Sequence, residues 1–139
     1  MSRFVRIAAA LSLLSGPALA QTKTLTVAGY GGSFETTIRT EIIPAFEKKF
    51  GVKVEYVAGN STDTLAKLQA QKGNQQIDVV IVDDGPVYQA IQLGFCGKVD
   101  NLPADLYDAA RFKDDRAVAI GLVGTGLMYN TKVFAEKGW

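Results

Sequence analysis

Three short apolar runs, each followed by a segment with helical spacing, constrain this chain more than any other feature. Leu25-Thr26-Val27-Ala28 alternates weakly and stops at Tyr30-Gly31-Gly32, the form of a buried strand running into a tight loop. Ser33 is the expected N-cap of a first helix, in which Phe34, Ile38, Ile42, Phe46 and Phe50 recur every four residues before Gly51 ends it. Pro44 lies inside that stripe. Because proline removes one helical hydrogen bond and crowds the preceding turn, a kink or restart is expected near Ile43.

The second and third runs repeat the pattern. Val52 to Val57 alternates cleanly, as a strand with one covered and one wetter face does, and stops at Ala58-Gly59-Asn60. A second helix follows, with Ser61, Thr62 or Asp63 as candidate caps, Leu65 and Leu68 facing inward and Gly73-Asn74 as its terminator. Ile77 to Val82 is almost unbroken in β-branched residues and is expected to be a central strand buried on both faces. It runs into Asp83-Asp84-Gly85-Pro86, with Pro86 suited to the first position of a third helix carrying Val87, Tyr88, Ile91 and Leu93.

This order of strands and helices predicts an α/β layer with a largely parallel sheet and right-handed crossovers. Beyond it, a shorter helix is expected from Ala104 to Arg111. Two apolar stretches, Ala117 to Val123 and Leu127 to Tyr129, are separated by Gly124-Thr125-Gly126, a bend, bulge or hinge. Lys132 to Lys137 begins a last helix, which stops at Gly138-Trp139.

Residues 1–20 read as a basic start, an apolar stretch from Ile7 to Leu14, and Gly16-Pro17 before Ala18-Leu19-Ala20. That is the plan of a secretory signal peptide with an A-x-A cleavage site, and its apolar stretch falls well short of the ~20 residues that span a bilayer. Cleavage leaves Gln21 first, where a lipoprotein would carry cysteine, so residues 21–139 are expected to be soluble in the periplasm and not membrane-embedded. Removing Arg3 and Arg6 from the 15 basic residues leaves 13 against 14 acidic ones. The basic residues are scattered, and nucleic acid is therefore no partner for this surface.

Histidine is absent and Cys96 is the one cysteine, which removes the Ser-His-Asp triad, a histidine-rich metal site, a Cys-His nucleophile and an internal disulfide. Neither a metal nor another cofactor is expected. An unpaired cysteine in an oxidising compartment is either a reactive thiol or, as the apolar Gly94-Phe95-Cys96-Gly97 favours, a small buried hydrophobe.

In an open α/β sheet ligands gather at the carboxyl ends of the strands, so three loops hold the candidate site. Gly31-Gly32-Ser33 offers backbone N–H groups where glycines allow close approach, or else is an ordinary tight turn. It is neither a dinucleotide fingerprint nor a P-loop. Ser61-Thr62 offers hydroxyls that either reach a ligand or cap a helix. Asp83-Asp84 puts two carboxylates at the mouth of the sheet, either to pair with a ligand ammonium or with one capping the third helix and the other solvated. A phosphatase of the haloacid-dehalogenase type needs D-x-D, which adjacent aspartates followed by Gly-Pro do not supply. A secreted carboxylate-dependent hydrolase is the alternative function, although adjacent loop residues seldom face each other across a substrate. A transcription-regulator effector domain is excluded by the signal peptide and by the lack of a helix-turn-helix.

Taken together, YGGSFE, IIPAFEKKFGVKVEYVAGNS, AKLQAQKGNQQIDVVIVDDGPVYQA and GTGLMYNTKVFAEKGW resemble bacterial extracellular solute-binding proteins of ABC importers, in the spermidine/putrescine-type group, over Thr24 to Trp139. The resemblance implies a type II periplasmic-binding-protein fold, of which residues 21–139 are the N-terminal lobe, incomplete and ending just after the crossover to the second lobe. It implies a non-enzymatic protein, monomeric at full length, that captures a small polar solute (polyamine-like, an amino compound or another charged molecule) and delivers it to an inner-membrane permease. One lobe alone is expected to bind poorly. Carried over by position, the resemblance places Gly31, Gly32, Ser33, Ser61, Thr62, Asp83 and Asp84 at the cleft, and Leu127 to Tyr129 on the strand leading to the crossover, with Tyr129 a further ligand candidate. The chain departs from polyamine binders just after the first strand, where they commonly carry a tryptophan for cation–π contact and this sequence has glycines.

The leader generates the first prediction. Intact-mass analysis of the exported protein should give a chain beginning at Gln21 with no lipid; retention of residues 1–20 would overturn the assignment.

Overall fold

The computed structural model describes residues 23–139, so the expected signal peptide lies outside the described residues. Strand β1 (Thr24–Gly29) is followed by helix α1 (Gly32–Thr37), a π-helical turn (Ile38–Ile42) and helix α2 (Ile43–Phe50). Strand β2 (Lys53–Ala58) leads to helix α3 (Ser61–Ala70), and the short strand β3 (Val79–Val80) leads to helix α4 (Asp84–Gln92). Two 3-10 turns (Asp108–Ala110 and Lys113–Asp115) and helix α5 (Thr131–Lys137) complete the chain.

The sheet is parallel with order β2-β1-β3. Thr24 to Gly29 pair one-to-one with Lys53 to Ala58, while Val27 and Ala28 pair on the other side with Val79 and Val80. The first crossover therefore moves outward from β1, and the second returns over β1 to its far side. When both are right-handed, their helices fall on opposite faces. Side chains along β1 divide accordingly. Leu25 and Val27 face α1–α2 and, with Val54, Val79, Ile42 and Phe46, line an open apolar groove of about 240 Å³. Ala28 points the other way and is fully buried, on the face covered by α3, whose Thr64, Leu65 and Leu68 are buried, and by α4, which packs on α3.

The kink expected near Ile43 is present as the π turn. Pro44 has no N–H to return to the Thr40 carbonyl, and the wider turn at Ile38–Ile42 absorbs the mismatch before the helix restarts. Several expectations need correction. Ser33 does not cap α1: Gly31 holds the N-cap position, and no side chain caps it. Of the run from Ile77 to Val82 only Val79–Val80 is a strand, and among the described residues it lies at the edge of the sheet rather than at its centre, with Val79 41% exposed. Its β-branched composition reflects a place between helical layers, which edge and central strands share, whereas its rank in the sheet follows from the crossovers. Helix α4 starts at Asp84, two residues before Pro86, which still lies in the first turn where no N–H is required. The helix expected over Ala104 to Arg111 shrinks to one 3-10 turn, in a stretch punctuated by Pro103.

Leu127 to Tyr129 is not a strand. Residues 119–130 form no helix or strand, and Leu127 and Met128 are fully exposed. Among the described residues no backbone hydrogen bond reaches Leu127 to Tyr129, and the nearby bridge joins Arg111 to Val118. Cys96 is half-buried, and burial pushes its thiol up, with Arg116 acting in the opposite sense. Among the described residues no helix is long and apolar enough to cross a membrane.

The tightest point of the sheet is Gly29. A Cβ there would run into the Tyr56 hydroxyl and lie 3.3 Å from the Ile81 Cβ, so glycine is required for close approach and not for its dihedral freedom. Gly29→Ala is expected to destabilise the protein by about 1–3 kcal/mol, read as a lower urea midpoint. An unchanged midpoint would show that Tyr56 moves aside freely.

Candidate functional site

The loops after β1, β2 and β3 meet at one end of the sheet. Those after β1 and β3 lead to helices on opposite faces, so they diverge and leave a crevice between them, the topological switch point of an open α/β sheet. A hydrogen bond spans it: the Tyr30 hydroxyl donates to Asp83 Oδ1 at 2.8 Å. Ser61 Oγ, from the loop after β2, donates to Asp83 Oδ2 at 2.6 Å and accepts from the Asp83 backbone N–H at 3.0 Å. Asp83 thus joins all three loops.

Tyr30 is itself held from behind. Its carbonyl accepts from the Tyr56 hydroxyl at 2.8 Å, and its ring meets Phe34 edge-on with centroids 5.4 Å apart. The Tyr56 carbonyl accepts from Arg39 Nη2 at 2.7 Å, while Arg39 Nε donates to Glu35 Oε1 at 2.8 Å. Gly32, with φ of 66°, turns the chain between Tyr30 and α1, a left-handed conformation that a Cβ would strain.

The expected cap of α3 is corrected by one residue. Asn60 is the N-cap; its Oδ1 accepts from the Asp63 N–H at 2.8 Å, and its Nδ2 donates to Asp63 Oδ2 at 2.7 Å. Ser61, 5% exposed, is thereby released from capping and turned towards Asp83. Asp83 occupies the N-cap position of α4, yet its carboxylate makes no capping bond. Asp84 Oδ1 accepts from the adjacent Gly85 N–H at 2.9 Å. Of the expected division into one cap and one solvated group, the cap is therefore absent, while Asp84 is exposed to solvent.

Of the candidates read from the sequence, Gly31 and Asp83 lie in the loops at this end of the sheet, and Gly32, Ser33, Ser61, Thr62 and Asp84 in the first turns of the helices that follow them. Tyr129 is not tied into that cluster; its ring packs on Phe134 with centroids 4.5 Å apart. Tyr30 and Tyr56 were missed as site residues. The signal for Tyr30 was an aromatic hydroxyl immediately after the first strand, whereas Tyr56 carried no signal beyond its inward place in an alternating run.

The charge pattern is asymmetric. In the first loop and helix Glu35 is paired with Arg39, and in the second Asp63 has Lys67 one turn on. No cation accompanies Asp83 and Asp84 on the third. The Ser61 and Tyr30 hydroxyls hold the Asp83 carboxyl below its ordinary range, and burial pushes the Tyr30 phenol up, with Asp83 adding to that and Ser61 opposing it. Hydrogen bonds to the ionised form do the work of a counter-ion. Among the described residues no cluster of three or more His, Cys, Asp or Glu could hold a metal ion.

A family model described as bacterial extracellular solute-binding protein matches residues 41–139, which takes in Ser61, Thr62, Asp83 and Asp84 and begins after Gly31 to Ser33. Among solved structures, the chain is similar to a Bordetella parapertussis protein assigned as an extracellular solute-binding protein, with 29% identity and a TM-score of 0.53 over 56% of this chain and 24% of that one. It is also similar to a Trichodesmium protein solved with iron and citrate ligands, at 16% identity and a TM-score of 0.57, over 67% of this chain and 29% of that one. The latter likeness shows the fold alone. This chain thus spans about a quarter of the length of the structures it matches. No curated protein sequence matches it.

The Asp83 geometry makes acid sensitivity testable. A carboxyl depressed in the folded state favours folding wherever it is ionised, so its contribution is fully present above the ordinary value of 3.8 and is lost as pH falls through the lower folded value. Glu47 is also held down, chiefly by the Val54 N–H, and contributes equally to wild type and to an Asp83 variant. The melting temperature of wild type should therefore fall more steeply than that of Asp83→Asn below about pH 4. Parallel curves would refute the assignment.

Proposed function

The chain belongs to the bacterial extracellular solute-binding proteins, and from that premise we propose that its strand-end loops capture a small cationic solute. The observation that carries this reading is the pair Asp83-Asp84, two adjacent carboxylates at the rim of a parallel sheet with no cation paired to either, whereas Glu35 after the first strand is paired with Arg39. Such a rim raises the local concentration of cations and favours an ammonium over a carboxylate or phosphate.

Asp84 is the charged contact. One of its oxygens accepts from Gly85, and the other has no protein donor. Thr62 and Ser33 supply hydroxyls whose side chains make no hydrogen bond within the described residues, and Gly31-Gly32 lets a solute approach the backbone closely. The solute class is a polyamine-like molecule or another amino compound, held through charge and hydrogen bonds rather than by an aromatic face just after β1, where glycines stand. In the full-length protein a second lobe closes on the bound solute. The monomeric protein, released into the periplasm by its leader, hands the solute to an inner-membrane ABC permease. Capture and release, without chemistry on the solute, is the whole of the activity.

Calorimetry on the full-length exported protein tests this with putrescine, spermidine, lysine and succinate. Binding should be confined to the cationic probes and weaken with added salt. Asp84→Asn should cost at least about tenfold in affinity, or 1.4 kcal/mol. Tight binding of succinate, or an Asp84→Asn variant that binds as wild type does, would overturn the proposal.

A further inference from the structure

The Asp83 carboxylate is the least expected feature of the site. It stands at the N-cap of a helix without capping it, is exposed, and spends both oxygens on hydroxyls that reach it from 53 and 22 residues away in sequence. A capping aspartate bonds the N–H groups of its own helix. Asp83 does not, and each of its oxygens instead accepts a hydroxyl from another loop, which fixes the orientation of the carboxylate.

Its partners are held as well. Ser61 is buried and bonded to Asp83 at two points, as donor to the carboxylate and acceptor from the backbone N–H. Tyr30 is fixed at its carbonyl by Tyr56 and at its ring by Phe34. Hydrogen bonds to an ionised acceptor are about twice as strong as neutral ones, and these cross the crevice where the sheet reverses its winding, which no backbone ladder bridges at that level.

We propose that Asp83 is a positioning residue, whose carboxylate staples the loops after β1, β2 and β3 across the switch point and presents Asp84 and the neighbouring hydroxyls as a preformed rim. Its consequence for affinity rests on the solute-binding reading of this site. The stapling itself does not, and it is measured without solute. Turning Asp83 towards a ligand would release Tyr30 and Ser61 together and loosen the rim the ligand needs, so solute contact and stapling are divided between the two adjacent aspartates.

Hydrogen exchange followed by mass spectrometry on the full-length protein reads the staple directly, in peptides spanning 28–34, 58–64 and 81–87. Asp83→Ala should speed exchange about tenfold or more in all three. Tyr30→Phe should act on 28–34 and 81–87, and Ser61→Ala on 58–64 and 81–87. A second readout is the ultraviolet titration of tyrosinate, in which Asp83→Asn should move one tyrosine to lower pH, since its neighbouring negative charge is gone.

A helix-start role alone would change exchange in 81–87 only and leave the tyrosine titration where it was, and that result would overturn the proposal. Should Asp83→Ala fail to fold, Tyr30→Phe and Ser61→Ala decide it, because each keeps the carboxylate and removes one donor; if neither loosens a loop distant in sequence, the staple does not exist. Absence of binding by wild type to all the cationic probes would defeat the solute reading while leaving these exchange results to stand or fall separately.

Discussion

Strand β1 is bonded on both sides, and the rest of the molecule depends on that. With β2 on one flank and β3 on the other, the two crossovers must run in opposite directions and lay their helices on opposite faces. At its carboxyl end the middle strand then has almost no room around it. Ala28 and Gly29 are buried, and Gly29 brings the Tyr56 hydroxyl close enough to hold the Tyr30 carbonyl. A side chain at Gly29 would push Tyr56 away and release Tyr30, the residue that reaches across the crevice. Packing in the sheet and geometry in the site are therefore one constraint seen from two ends.

The site stabilises a negative charge without a positive one. Asp83 is held ionised by two hydroxyls, one buried against the start of α3 and the other anchored by its own backbone. A lysine or arginine in their place would also fix the loops, but it would cancel the charge. Neutral donors keep the carboxylate in place and leave its field available to a solute. The first helix carries its own compensation, Arg39 for Glu35, and the Asp63 carboxylate accepts from the Asn60 amide, whereas Asp83 and Asp84 have no cation beside them on their helix. This local balance supports a cationic solute better than net charge does, since acidic and basic residues over the whole chain nearly cancel.

Much of this was legible in the chain itself. Periodicity of two or of nearly four, glycines at the ends of runs and a proline inside a helical stripe are local signals, because they report which face of an element is covered and where its backbone cannot continue. They located three strands and their helices, the break before α2, and the three loops that carry the site. Local signals failed where short-range competition decided the outcome. Asn60 won the capping of α3 over Ser61, Thr62 and Asp63, and Pro103 with the turns around it left little helix between Ala104 and Arg111.

By itself, the sequence determined the order of elements, the parallel α/β layer and the side chains available at the strand ends. Tertiary structure alone decided which strand is central and what Asp83 does. An almost unbroken β-branched run is equally apt for an edge or a centre between helical layers, so only the path of the crossovers placed Val79–Val80 outside β1. An aspartate before a helix is equally apt for capping or for a ligand. Its actual partners, Tyr30 and Ser61, lie 53 and 22 residues away, and no spacing along the chain encodes a hydrogen bond that exists only once three loops have been brought to one end of the sheet.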